Sequence, residues 1–179
     1  MTDVLLVIDM QNGFISPKSE PVIDRVVRLV RRWDAARRPI VFTRFRNVPG
    51  SQYERLIGWT RLQGSPETDI VPELVPYAAR HHVIDKTYYS TFTEEFTALA
   101  SARGWTRFTI AGIATESCVM KTAADAWELG HTPVVVHDAC YSHAGEEAHQ
   151  AGLLVLRRFV GRRQIRSIDE VCAALPTPA

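Results

Sequence analysis

Short apolar runs alternate along the chain with longer stretches in which apolar residues return every three or four positions, and that rhythm predicts strands separated by helices. Val4 to Ile8 is an unbroken apolar run ended by Asp9, Gln11, Asn12 and Gly13, the pattern of a central parallel strand buried on both faces. Behind Pro21, the residues Val22, Val26, Leu29, Val30 and Trp33 recur at helical spacing with arginines between them, which predicts a first helix that Pro39 stops. Residues 40–42 read as a second strand running toward Arg44 and Arg46, and 83–85 as a third with Lys86 immediately after it. Phe92, Phe96 and Leu99 mark a helix, and 108–113 a fourth strand. Thr115 is a candidate cap for a helix carrying Val119, Met120, Ala123, Ala124 and Trp127 and closing at Gly130. Residues 134–136 give a fifth strand, 146–156 a helix, 164–166 a short edge strand and 168–172 a terminal helical turn. Pro176 and Pro178 predict a frayed tail.

Strands and helices alternating at this spacing imply an α/β fold, a three-layer α-β-α sandwich around a central, mostly parallel six-stranded sheet. One domain spanning residues 1–179 accounts for every predicted element. The segment from Asn47 to Pro76 departs from the rhythm, punctuated by Pro49, Gly50, Gly58, Gly64, Pro66 and Pro72. It reads as a long excursion beside a strand end, with helical turns over 52–57 and 72–77, and such excursions line sites. The residues after Ile8 contain no GxGxxG turn, so a nicotinamide dehydrogenase is disfavoured.

Composition narrows the class. With 179 residues the chain can bury about 70% of its extended surface without a metal or disulfide staple. Twenty-one basic against 20 acidic residues leave a net charge of +1, and the arginines are spread over most of the chain, which argues against a nucleic-acid partner. No stretch approaches the length of a membrane span, and the N-terminus has no basic region followed by a cleavable apolar segment. Cys118, Cys140 and Cys172 are odd in number and in no CxxC spacing, so a reducing, cytoplasmic compartment is the default expectation.

In an open parallel sheet the ligand crevice lies beyond the carboxyl ends of the strands. Asp9, Lys86 and Cys118 fall there, after the first strand, after the third and in the first turn of the helix after the fourth. A helix N-terminus and a neighbouring ammonium favour a thiolate, whereas a neighbouring carboxylate raises the thiol pKa yet can take its proton when substrate arrives. Each residue alone has a plainer reading: Cys118 as core packing, Asp9 as a turn former, Lys86 as a solvated strand end. The chain has three lysines against 18 arginines, so a lysine at a strand terminus is informative. His137, followed by Asp138, is the best rival base, and His143 and His149 have no partner cysteine at ligand spacing.

Three separate motifs carry a resemblance. The stretch Gly112-Ile113-Ala114-Thr115-Glu116-Ser117-Cys118-Val119, the opening Leu6-Val7-Ile8-Asp9-Met10-Gln11-Asn12-Gly13-Phe14 and Asp85-Lys86-Thr87-Tyr88-Tyr89-Ser90-Thr91-Phe92 resemble, in that order along nearly the whole chain, segments of the isochorismatase-like cysteine hydrolase family. The resemblance implies Cys118 as nucleophile, Asp9 as general base and Lys86 as the third triad member. It also implies a cis peptide between Ile113 and Ala114, in a turn that aims the N–H groups of Ala114 and Cys118 at a developing oxyanion. The activity it implies is hydrolysis of a C–N bond in a small amide, ureido or carbamoyl substrate through a thioester, by a homodimer or homotetramer without a cofactor. Trp127, Leu129 and Trp105 are candidates for subunit contact.

Departures from subfamilies shape the alternatives. Nicotinamidases of this family carry an Asp-x-His motif after the second strand that holds a metal ion, and the matching stretch here reads Thr43-Arg44-Phe45-Arg46-Asn47, so no metal is expected. Isochorismatases that cleave a vinyl ether often lack the cysteine, and a catalytically silent metabolite-binding relative is the reading from a different class. Arg44 or Arg46 is a candidate partner for a substrate carboxylate. Phe14, Tyr53, Trp59 and Tyr89 are candidates to enclose a small planar amide.

Overall fold

The first strand, β1 (Thr2–Ile8), is the axis of the molecule, because its residues feed both apolar layers in alternation. Leu5 and Val7 enter one core and Val4, Leu6 and Ile8 the other, all of them fully buried, as a period of two across a sheet with two covered faces requires. The computed structural model describes residues 2–176; the predicted tail residue Pro178 lies outside them. In chain order the elements are β1, α1 (Val22–Ala35), β2 (Ile40–Phe45), α2 (Gln52–Ile57), α3 (Val75–Ala78), β3 (His82–Lys86), α4 (Glu94–Arg103) and β4 (Trp105–Ile113). A π-turn (Thr115–Val119) then leads directly into α5 (Met120–Glu128), followed by β5 (Thr132–Tyr141), α6 (Glu146–Phe159), β6 (Ile165–Arg166) and α7 (Ile168–Ala173).

The six strands form one sheet in the order β3-β2-β1-β4-β5-β6, and every pairing between them is parallel. Helix α1 buries Val22, Val26, Leu29, Val30 and Trp33 against one face, joined by Ile168 and Val171 of α7. Phe96 of α4, Ala123 and Ala126 of α5, and Leu153 and Leu156 of α6 cover the other. This is the three-layer α/β/α sandwich expected from the alternation. The order in which strands are added reverses between β1 and β4, the neighbours from which successive strands are laid outward to either side, so the crevice of an open α/β sheet opens at their carboxyl ends.

Local details differ from the sequence pattern where tertiary contacts intervene. Helix α1 ends at Ala35, before Pro39, with Arg37 at φ 52° turning the chain. Strand β5 runs on past Val136 because a bulge absorbs the polar residues: Ile110 pairs with Val135 and Gly112 with Cys140. His137 therefore stands on that bulge and not at a strand end, and neighbouring Asp138 accepts the N–H of Ile168 at 2.8 Å. Thr115 makes no cap bond, since the chain enters a π-turn there and its hydroxyl is engaged elsewhere. Trp105 is buried in the core at 5% exposure and offers no outer surface, unlike Trp127 and Leu129, which are half exposed.

One glycine is dictated by this packing. Gly112 has φ 117°, and a Cβ there would lie 2.1 Å from the carbonyl oxygen of Ile8 on the adjacent strand, so neither the backbone angle nor the inter-strand gap admits a side chain. Gly112→Ala is expected to destabilise the fold by about 3 kcal/mol or more, read as a lowered midpoint in urea unfolding, whereas Gly58→Ala, with open space around it, costs about 1 kcal/mol.

Candidate active site

Asp9 leaves β1 with φ 47°, a left-handed turn that folds its carboxylate back over the end of the sheet. Its backbone N–H donates to Thr43 Oγ1 at 3.1 Å, and the Thr43 hydroxyl donates to Asp9 Oδ1 at 2.5 Å. The other oxygen, Oδ2, accepts from Lys86 Nζ at 2.6 Å. Lys86 sits on β3, two strands from β1, and its side chain spans β2 to reach the pair. Phe45, its cross-strand partner on β2, lies beneath the ammonium at 5.4 Å from the ring centroid. The remaining ammonium donors go to the carbonyls of Tyr88 at 3.0 Å and Tyr89 at 3.2 Å. Both side chains of the ion pair are wholly buried, and such a pair persists only when its lone pairs and protons are all taken.

Cys118 lies within the π-turn between β4 and α5, not in the first turn of an α-helix. The Ala114 carbonyl accepts from both Ser117 and Val119 at 3.1 Å, the second bond being the wide i→i+5 closure that defines the turn. The Ile113–Ala114 peptide is cis. Thr115 Oγ1 and His149 Nδ1 of α6 are 2.7 Å apart and buried. Helix α6 approaches so closely that a Cβ on Gly152 would fall 2.9 Å from the Glu116 nitrogen. The turn is thus clamped by α6, while Glu116, Ser117 and Cys118 line a cavity.

Asp9 and Lys86 both act on the Cys118 thiol. Burial pushes that thiol well above its usual pKa, the Asp9 carboxylate pushes it further, and Lys86 opposes them without prevailing. At rest the group is therefore neutral at neutral pH, and the turn and the ammonium do not by themselves make it a thiolate. Burial would lower the Lys86 ammonium, but the charges of Asp9 and Cys118 outweigh it and raise its pKa, so it stays protonated.

Cys118 forms part of the wall of a cavity of about 310 Å³. Phe14, Phe45, Tyr53, Trp59 and Tyr89 bring aromatic rings to its lining, Glu116, Ser117 and His143 bring polar groups, and Ile57 completes it. The rings brace one another: Phe14 stacks on Trp59 at 5.9 Å, and Tyr53 meets Tyr89 edge-on at 5.1 Å. Five expected residues, Phe14, Tyr53, Trp59, Tyr89 and Cys118, meet here, Tyr53 arriving on α2 from the long excursion. Gln11 ties that excursion to the sheet, its side chain bonding Phe45 N, Phe45 O and Thr68 O at 2.7–2.8 Å.

Arg44 and Arg46 correct the sequence expectation. They line a separate polar cavity of about 530 Å³ with Lys86 and Asp85, because burial alternates along this segment and Thr43, Phe45 and Asn47 take the inward positions. Arg44 is bound in fork fashion by Asp85, its cross-strand partner, at 2.6 and 2.8 Å, and Arg46 donates to the Gln63 carbonyl at 3.3 Å. His137 lines neither cavity. Phe45, Glu116, Ser117 and His143 are wall residues that the sequence pattern did not single out. Strand alternation would have selected Phe45, and a β5 run to Tyr141 would have brought His143 to the sheet end. Among the described residues no group of three or more His, Cys, Asp or Glu side chains stands where it could hold a metal ion.

Comparison with known proteins adds independent findings. The model of the Isochorismatase domain matches residues 3–164. A ureidoacrylate amidohydrolase, RutB, of Acinetobacter baylyi is 29% identical over 195 residues, covering 88% of this chain and 78% of that protein. A streptothricin hydrolase of Streptomyces noursei is 34% identical over 142 residues, covering 75% of this chain but 48% of that protein. Among solved structures, an isochorismatase-like hydrolase from Alkaliphilus metalliredigens superposes with a TM-score of 0.85 at 23% identity, over 97% of this chain and 99% of that one; this last likeness concerns the fold.

The buried pair sets two expectations. Lys86→Met strands the Asp9 carboxylate and is expected to cost about 3–5 kcal/mol in urea unfolding, with much of it recovered in Asp9→Asn/Lys86→Met. Iodoacetamide labelling of Cys118 is expected to keep accelerating with pH beyond the ordinary thiol range in the wild type. In Asp9→Asn, where the group that raises the thiol is gone and Lys86 remains, labelling at neutral pH becomes faster; an unchanged or slower rate refutes this electrostatic account.

Proposed function

The chain belongs to the isochorismatase family, and on that premise we propose that it is a cysteine-dependent amidohydrolase cleaving a C–N bond of a small amide, ureido or carbamoyl substrate through a thioester. The observation that carries this reading is the wholly buried Asp9–Lys86 pair at the sheet end together with Cys118 in the wall of the aromatic cavity, where burial and Asp9 raise the thiol pKa. A thiol kept protonated at rest needs a base in reach, and Asp9 is that base. The names of the ureidoacrylate amidohydrolase and the streptothricin hydrolase support hydrolysis, and the first supports an amide-type bond.

In the proposed cycle Asp9 takes the Cys118 proton as the sulfur attacks the substrate carbonyl carbon, and the carbonyl oxygen becomes an oxyanion held by the N–H groups of Ala114 and Cys118. The C–N bond then breaks, Asp9 returns the proton to the departing nitrogen, and ammonia or an amine leaves. A thioester remains on Cys118. Asp9 next removes a proton from water, which adds to the thioester carbonyl; the C–S bond breaks, the acid is released and the proton returns to sulfur. Lys86 holds the Asp9 carboxylate in place and, as a fixed positive charge, favours the thiolate-like sulfur of the attacking state over the resting thiol. Closing this charge network away from water strengthens each term.

The metal-assisted variant of the family does not fit the residues present. The stretch after β2 supplies Arg44, Arg46 and Asn47 in place of an Asp-x-His motif, and Arg44 is already committed to Asp85. Vinyl-ether cleavage needs an acid and no acyl-enzyme, so it leaves a cysteine in the cavity wall without a task.

Brief incubation with a panel of primary amides, ureido and carbamoyl compounds is expected to give a transient mass adduct on Cys118 together with released ammonia. Cys118→Ala is expected to lose at least about a thousandfold in turnover and all of the adduct. Ammonia release that survives in Cys118→Ala overturns the thioester route.

A further inference from the structure

The turn that carries Cys118 is closed by two backbone bonds to the Ala114 carbonyl, and two of its side chains anchor it to the rest of the fold. Glu116 Oε1 accepts from the Ser142 hydroxyl at 2.6 Å. Thr115 instead meets an imidazole: its Oγ1 stands 2.7 Å from His149 Nδ1 on α6, and both residues are buried. Neither Thr115 nor His149 lines the reactive cavity, so the proposed cycle does not use this contact directly.

The hydrogen in the contact can be placed. Among the described residues the Thr115 hydroxyl has no hydrogen-bond partner but Nδ1, and Nε2 has none. A hydroxyl that only accepted from Nδ1–H would leave its own proton buried without an acceptor. Both groups are satisfied when Thr115 donates to an unprotonated Nδ1 and the ring proton sits on Nε2. A second proton on the ring inverts the contact, since Nδ1–H must then donate to Thr115 Oγ1 and the hydroxyl proton is orphaned. Burial holds His149 below its usual pKa, helped by Arg25 of α1 and His137 of β5 and opposed by Glu146 at the start of α6 and Glu116 on the turn. Tyr141 of β5 packs its ring against the imidazole at 5.1 Å. The folded state therefore favours the neutral ring. The contact is intact at neutral pH and is lost as the pH falls below the ordinary histidine pKa of about 6.5.

We propose that His149 is a positioning residue for the hydrolytic centre: as a neutral acceptor it fixes Thr115, and through Thr115 the N–H groups of Ala114 and Cys118, and its protonation releases the turn and switches turnover off on the acid side. Thr115 directly follows Ala114 and stands three positions before Cys118, so a shift of its backbone displaces both oxyanion donors and the sulfur together, and small misplacements at a reacting centre are costly. The effect on turnover rests on the amidohydrolase reading, whereas the state of the turn is measurable without a substrate.

Three variants separate this role from plain packing. His149→Leu removes the acceptor and Thr115→Val the donor, whereas His149→Asn carries a carbonyl oxygen on the same γ carbon that bears Nδ1, an acceptor that does not titrate. With the best amide of the panel at mildly alkaline pH, His149→Leu and Thr115→Val are each expected to lose about tenfold in kcat per folded molecule with KM within about twofold. The double variant loses no more than either alone, and His149→Asn stays within about threefold of the wild type. Amide exchange of residues 115–119, taken relative to that of β1, is expected to quicken about tenfold in His149→Leu. In the wild type, turnover and this relative protection fall together as His149 protonates; His149→Asn lacks that step in both profiles. Nitrogen NMR of the histidine-labelled protein is expected to show His149 with Nδ1 bare and Nε2 protonated at neutral pH. A proton on Nδ1 at neutral pH, wild-type turnover in His149→Leu, or an acid step that persists unchanged in His149→Asn overturns the proposal. Should His149→Leu fail to fold, the tautomer and the His149→Asn profile decide. If the tautomer and the exchange behave as expected while no amide is hydrolysed, the hydrolytic reading falls and the hold of His149 on the turn stands.

Discussion

A carboxylate and an ammonium sealed from water at 2.6 Å, Asp9 and Lys86, are the constraint around which the end of this sheet is arranged. Desolvating two charges costs more than their attraction returns unless the surrounding groups complete their hydrogen bonds. Thr43 on β2 serves one carboxylate oxygen, and the carbonyls of Tyr88 and Tyr89 take the remaining ammonium donors. The chain after β3 must therefore fold back over its own lysine, and that return places Tyr89 in the cavity wall. The long stem of lysine is what lets β3 contribute to a site centred on β1, since one intervening strand separates them and strand spacing is about 4.8 Å.

From that pair the thiol acquires its character. The charges of Asp9 and Lys86 act on Cys118 in opposite senses, and burial decides the outcome in favour of the neutral form. A protonated thiol is protected from adventitious alkylation and oxidation, and in the proposed cycle it becomes nucleophilic when Asp9 removes its proton. The topology supplies the meeting point: strands laid outward from β1 and β4 in opposite directions open the sheet where Asp9 follows one strand and the Cys118 turn follows the other. Packing then makes the turn rigid, through Gly112 against β1 and Gly152 against Glu116.

Much of this was legible before any coordinates. The apolar run of residues 4–8 and the helical spacing from Val22 to Trp33 each give a strong, uniform period, so β1 and α1 fall where the pattern places them. Lys86 stood out in a chain whose positive charge is otherwise almost all arginine. The failures share one cause. Arg44 and Arg46 follow a strand just as Asp9 does, and nothing local says which way a strand-end side chain points; pairing with Asp85 across β3 settles it. Thr115 has the identity of a cap, but its hydroxyl is claimed by His149, a residue 34 positions away. Trp105 looks like a surface anchor and is core, because the helix preceding it closes over the sheet.

The sequence by itself determined the layer order, the two-sided burial of the central strand and the three residues that reach the sheet end, because these follow from periodicity and from residue chemistry acting over a few positions. Only the tertiary structure decided which aromatic rings share a wall, that Arg44 and Arg46 line a separate cavity, and that burial and Asp9 raise the thiol pKa against Lys86. Those are matters of which side chains meet from distant segments and how far water is excluded between them, and burial and Coulombic terms depend on distances the chain acquires only once it has folded.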